Sequence, residues 1–121
     1  MTRTKLPDRR RQWTQKARIG GNVYYLAVGE YPDGSIGEVF LDAHKHGTFA
    51  RGILDALART ISVALQCGTP LVEICKALRG LSYPPEGTVM GSDQVTEATS
   101  VVDWIAQELE AAYTKRTPPG E

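Results

Sequence analysis

The stretch "VYYLAVGEYPDGSIGEVFLDA" (residues 23–43) constrains the fold more than any other part of the chain. Two runs rich in β-branched and aromatic residues flank "PDGS", which places proline at a turn's first central position with Asp and Gly after it. That combination specifies a β-hairpin. Upstream, "GGN" at 20–22 is a second turn signal, because glycine tolerates positive φ, and "WTQKARI" before it reads as a further strand. The first part of the chain is therefore expected to be a three-stranded antiparallel meander.

The second half has helical periodicity. Phe49, Ile53, Leu57, Ile61, Ala64 and Leu65 recur at three- and four-residue spacing and predict one apolar stripe on a long helix. Gly68 suits the C′ position, and "TP" at 69–70 predicts a Thr69 cap with Pro70 opening the next helix. Leu71, Ile74, Cys75 and Leu78 give a short amphipathic helix that Gly80 stops. "LSYPPEGTVMGS" reads as a loop. A last helix begins at Ser92 or Ser100, where "SVVD" resembles a capping box, and buries Val102, Ile105, Leu109 and Ala112 with Trp104 nearby. The fold class is α+β: a small antiparallel meander followed by about three helices packed on one face. Residues 1–12 form a basic extended arm, 13–114 the single domain and 115–121 a flexible tail.

With 121 residues the chain has room for one modest core. Charge is balanced overall, with 14 basic and 14 acidic residues, but unevenly spread. Residues 1–20 hold seven cations against Asp8 alone, whereas 93–121 carry six acids against two bases. No apolar run reaches the roughly 20 residues needed to span a bilayer, and the basic N-terminus lacks a signal peptide's apolar centre. A cytoplasmic protein without membrane contact is expected, with Cys67 and Cys75 as small reduced core residues.

Candidate sites are few. His44 and His46, two apart around Lys45, would share a strand face but not a helix face, and no CxxC or Glu-x-x-His pattern supplies further ligands. They read as solvated residues at a strand-to-helix junction, and neither metal nor cofactor is expected. Glu30, Asp33, Glu38 and Asp42 crowd the hairpin as acids do on turns and exposed strand faces. The most functional-looking constellation is the basic arm: Arg9, Arg10, Arg11, Lys16 and Arg18 interleaved with Trp13 suit phosphate contact with stacking. The same arm could serve as a protein-docking segment. An enzyme built on His44 has the least support, since nothing fixes a nucleophile or an oxyanion hole beside it.

"LPDRR", "TQKARIGG", "YLAVGEYPDGSIGEVFLDAHKHG", "ISVALQCGTPL", "YPPEG" and "ATSVVDWIAQEL" occur in that order. Together they resemble the TSCPD domain, the C-terminal region of adenosylcobalamin-dependent ribonucleotide reductases. The resemblance covers about residues 5–113, although the cysteine-containing motif behind the family's name is missing. In the full-length reductases, it implies, a large preceding barrel carries the radical cysteine and the cobalamin site, and a terminal cysteine pair relays electrons. Neither set of motifs occurs here, so the resemblance carries over a fold and a binding role rather than catalysis. By residue, that role falls on Gly29, Glu30, Gly34, Gly37, Glu38, His44, Lys45 and Gly47. The expected function is a non-catalytic binding module linked to deoxyribonucleotide metabolism, with a protein partner such as a separate reductase, or a nucleotide. The alternative is a small nucleic-acid-binding protein using the arm.

Overall fold

The computed structural model describes residues 2–44 and 47–114, without the side chain of Thr114. The readings made for Lys45, His46 and the tail 115–121 lie outside the described residues. The chain has the expected α+β architecture, with a larger sheet. Strands β1 (Gln12–Ile19), β2 (Asn22–Glu30) and β3 (Ile36–Ala43) form the meander, and β4 (Gly87–Met90) and β5 (Glu97–Ala98) extend it in the order β3-β2-β1-β4-β5. The helices are α1 (Thr48–Gln66), α2 (Leu71–Leu78) and α3 (Val101–Leu109), the last continued by a π-helical turn over Glu110–Thr114.

Turn chemistry sets the meander's register. Gly20 and Gly21 both have positive φ, as a two-residue turn of type I′ requires, and Ile19 therefore faces Asn22. In the second turn the Gly34 amide donates to the Tyr31 carbonyl at 2.8 Å, and the Asp33 carboxylate accepts from the Ser35 amide and hydroxyl. Those Ser35 bonds hold the Asp33 carboxyl below its ordinary range.

Strand parity then decides the two faces. Ala17 and Ile19, Tyr24, Leu26 and Val28, and Val39, Leu41 and Ala43 face the core, where Trp104 of α3 is fully buried with its ring 6.5 Å from that of Tyr24. Cys75 of α2 is buried beside α3, and its thiol donates to the Ala106 carbonyl at 3.7 Å. Burial pushes that thiol up to about 11, so it stays protonated at neutral pH.

Helix α1 runs along the open edge of β3. Ser62 Oγ accepts from the Val39 amide at 2.9 Å and shares its one proton between the Ala58 carbonyl at 2.9 Å and the Val39 carbonyl at 3.2 Å, while Gln66 Nε2 donates to the Gly37 carbonyl at 2.9 Å. Four helix residues rise about 6 Å and two strand residues about 6.6 Å, so side chains one turn apart meet alternate strand residues. The helix thereby occupies an edge that would otherwise offer unpaired backbone groups.

Several local expectations are corrected. The buried stripe of α1 is Leu54, Ala58 and Ile61, with Leu57 and Leu65 half-buried, whereas Phe49 and Ile53 point outward. The helix is apolar over a wide arc, and the need to aim Ser62 and Gln66 at β3 selects its rotation. The 81–92 segment is not all loop: its "GTVM" is β4, which pairs Met90 with Arg18 and buries Val89. Thr69 does not cap α2, whose first flanking position is Pro70. Ser100, not Ser92, caps α3, accepting from the Asp103 amide at 3.0 Å. Ala112 is exposed.

Candidate binding surfaces

The hairpin motif makes a seat for the N-terminal arm. Thr4 donates its amide to the Gln66 carbonyl at 2.8 Å, and its own carbonyl accepts from the Tyr31 hydroxyl. Arg3 Nε donates to Gln66 Oε1 at 2.7 Å. A Cβ on Gly37 would lie 2.7 Å from the Tyr31 ring and 3.0 Å from Leu6, so glycine leaves the space that both side chains fill. Arg10 Nε donates to Glu38 Oε2 at 2.5 Å and Nη2 to Oε1 at 3.2 Å, a two-pronged pair. Glu38 lies over Gly29, where any Cβ would collide with its carboxylate. Glu38 is buried, which corrects its reading as an exposed-face acid.

The six arm and strand residues singled out by sequence do not share one surface. Arg10 is engaged with Glu38. Arg9 and Arg11 are exposed, and with Arg10 they line a cleft of about 650 Å³ against Glu30 and the 31–34 turn. Trp13 lies on the core side of β1, stacked 6.3 Å from Tyr113 and donating Nε1 to its hydroxyl at 2.8 Å. That hydroxyl in turn donates to Glu30 at 2.5 Å. Burial, reinforced by the bond to Glu30, pushes the Tyr113 phenol well above its ordinary range. Lys16 and Arg18 emerge on the opposite sheet face. Gly34 sits in the turn with φ of 89°, His44 is exposed at the end of β3, and Gly47 precedes α1.

Two surfaces lie outside the candidate sites that the sequence offers. The first is the outward stripe of α1, where Phe49 is 82% exposed, Ile53 55% and Val63 42%, with Ala56 and Thr60 completing it at helical spacing. The second is the sheet face opposite the core. There Phe40 is 49% exposed, and the Lys16 ammonium lies 5.9 Å from the centre of the Tyr25 ring. Between this face and the first turns of α1 is an open cleft of about 550 Å³, lined by Tyr25, Ala27, Phe40, Asp42, Arg51 and Gly52. Period-two parity was the available signal for it, since Tyr25 and Ala27 alternate with the core residues Tyr24, Leu26 and Val28. Among the described residues, no group of three His, Cys, Asp or Glu side chains could hold a metal ion, and no helix is long and apolar enough to cross a membrane.

The geometry defines a small α+β domain whose distinctive residues clasp its own N-terminal segment and whose exposed features are an apolar helix face and an aromatic–basic sheet face. The TSCPD domain model matches residues 2–113, and the chain belongs to that family. It is 43% identical over 114 residues to a vitamin B12-dependent ribonucleotide reductase of Bradyrhizobium diazoefficiens and 44% identical over 114 residues to that of Agrobacterium fabrum. Each match covers 94% of this chain and 9% of the relative. The reductase of Rhodopirellula baltica is 40% identical over 107 residues, covering 88% of this chain and 10% of the relative. The chain thus spans about a tenth of the length of these relatives. No solved structure matches.

Proposed function

We propose that this chain is a non-catalytic docking domain that binds a vitamin B12-dependent ribonucleotide reductase through the outward face of α1, in the service of deoxyribonucleotide synthesis. The observation that carries the reading is the stripe Phe49, Ile53, Ala56 and Val63. It is apolar, projects from a 19-residue helix anchored along β3, and is left in water. Side chains at i, i+4, i+7 and i+14 on one helix face suit packing against a protein groove. The occupant is argued from the relatives: in each, sequence like this one forms about a tenth of a ribonucleotide reductase, so the larger part of such an enzyme is the natural neighbour for this face.

The absence of turnover is part of the proposal. Cys75 is buried and protonated at neutral pH, which disfavours it as a nucleophile. The reading sets the chain in the cytoplasm, a compartment in which free cysteines stay reduced. Sedimentation velocity of the protein mixed with a purified B12-dependent reductase from which its own TSCPD region has been removed, so that the receiving surface is open, tests it. A complex that sediments faster than either component is expected, and unchanged boundaries for both would overturn the proposal.

A further inference from the structure

Beyond docking to a reductase, we propose that the sheet face opposite the core is a platform for single-stranded nucleic acid. The register arranges its side chains as a grid. Phe40 of β3 stands opposite Ala27 of β2, Asp42 opposite Tyr25, Tyr25 opposite Lys16 of β1, and Arg18 opposite Met90 of β4. A diagonal across the strands therefore runs from Phe40 over Tyr25 to Lys16 and Arg18. Phe40 and Tyr25 are diagonal neighbours on adjacent strands, about 7–8 Å apart by ordinary sheet geometry, and the small Ala27 beside them leaves open floor.

Charge selects the occupant. Asp42 is matched by Arg51, whose Nε donates to Oδ1 at 3.0 Å, and Asp55 by Arg59 at 2.9 Å. Lys16 and Arg18 form no salt bridge among the described residues, and Lys16 rests over the Tyr25 ring. Uncompensated cations beside the exposed Phe40 ring and the partly buried Tyr25 ring match the two needs of an unpaired strand: neutralisation of phosphates and a flat surface for a base. At the far end Arg10 and Glu38 cover Gly29, which bounds the track on that side.

Fluorescence anisotropy of the intact protein with labelled dT12, rU12 and a 12-base-pair duplex, at 50 and 200 mM NaCl, tests this. Binding of the single strands in preference to the duplex is expected. Two phosphate contacts on a single strand imply an affinity falling about 7-fold between the two salts. Phe40→Ala should weaken binding by about tenfold or more, and Lys16→Glu/Arg18→Glu should abolish it. Phe40 is half exposed, so its variant should still unfold cooperatively, with a midpoint lowered by only a few degrees. Phe49→Asp on α1 should leave oligonucleotide binding unchanged, which separates this test from that of the docking face. Absence of single-strand binding, equal affinity for the duplex, or loss only in Arg9→Ala/Arg11→Ala would overturn the proposal. So would self-association of the protein that Phe40→Ala abolishes.

Discussion

Arg10 Nε lies 2.5 Å from Glu38 Oε2, and the carboxylate it grips lies across Gly29 in the neighbouring strand. A basic residue from the arm thus neutralises a buried acid in the hairpin 28 positions later. Removing it by Arg10→Ala leaves Glu38 buried with only the longer Gln12 contact at 3.4 Å. A lower urea midpoint is expected, since a buried ion stripped of its partner keeps its desolvation penalty. Arg9→Ala, at an exposed neighbour, should stay within about 0.5 kcal/mol. Urea denaturation measures both, and limited trypsin digestion should cut the arm faster in Arg10→Ala alone.

Asp103 ties three segments together. Its carboxylate accepts from the Gly80 amide at 2.8 Å, the Thr99 amide at 3.1 Å, Gln107 Nε2 at 2.9 Å and Arg79 Nε at 3.1 Å. Burial pushes this carboxyl up, but the four bonds outweigh it and hold it below the ordinary range. A depressed folded pKa contributes stability that is present above the unfolded value, about 3.9, and lost as pH falls through the folded one. Asp103→Asn should therefore flatten the acid limb of stability measured between pH 6 and pH 2. Asp103→Ala should cost about 3 kcal/mol at neutral pH by orphaning the buried donors.

Ser62 makes a sharper test of the sealed edge. Ser62→Ala removes only the hydroxyl and offers nothing to the Val39 amide and carbonyl. A loss of about 1–3 kcal/mol is expected, read by chemical denaturation. Amide exchange at Val39 should accelerate by more than that at Val28, which faces it from β2.

The Trp13–Tyr113–Glu30 chain closes the C-terminal turn onto the sheet. Tyr113→Phe preserves the ring stack but leaves Trp13 Nε1 and Glu30 without their shared hydroxyl, at a cost of about 1–2 kcal/mol. Because the folded phenol is raised, its contribution is complete below the free tyrosine pKa near 10 and is lost as pH rises further. The wild type should thus lose stability between pH 9 and pH 11 more steeply than Tyr113→Phe.

The meander was legible because a glycine pair and a Pro-Asp-Gly turn dictate it locally, and the last helix was legible with two candidate caps, Ser92 and Ser100, of which the structure uses Ser100. Failures arose where a distant partner decides. The rotation of α1 depends on Ser62 and Gln66 meeting β3, and an arc apolar on both sides gives no sequence sign of it. Burial of Glu38 depends on Arg10, and β4 is hidden among prolines and glycines until β1 supplies its pairing edge. The scattering of the basic set was within reach: in a strand starting at Gln12, Trp13 and Lys16 must face opposite ways. Phe49 and Ile53 read from periodicity as core positions yet stand exposed, because periodicity shows that a helix has an apolar face without showing what covers it.

Docking of α1 on a reductase is tested most directly by calorimetric titration against a purified B12-dependent reductase whose own TSCPD region has been removed. Phe49→Asp/Ile53→Asp should weaken binding at least about 30-fold, a loss of about 2 kcal/mol typical of removing two buried apolar anchors. Arg9→Ala/Arg11→Ala should bind as the wild type does. Undiminished binding by the Asp pair, or binding lost with the two arginines instead, would contradict the account.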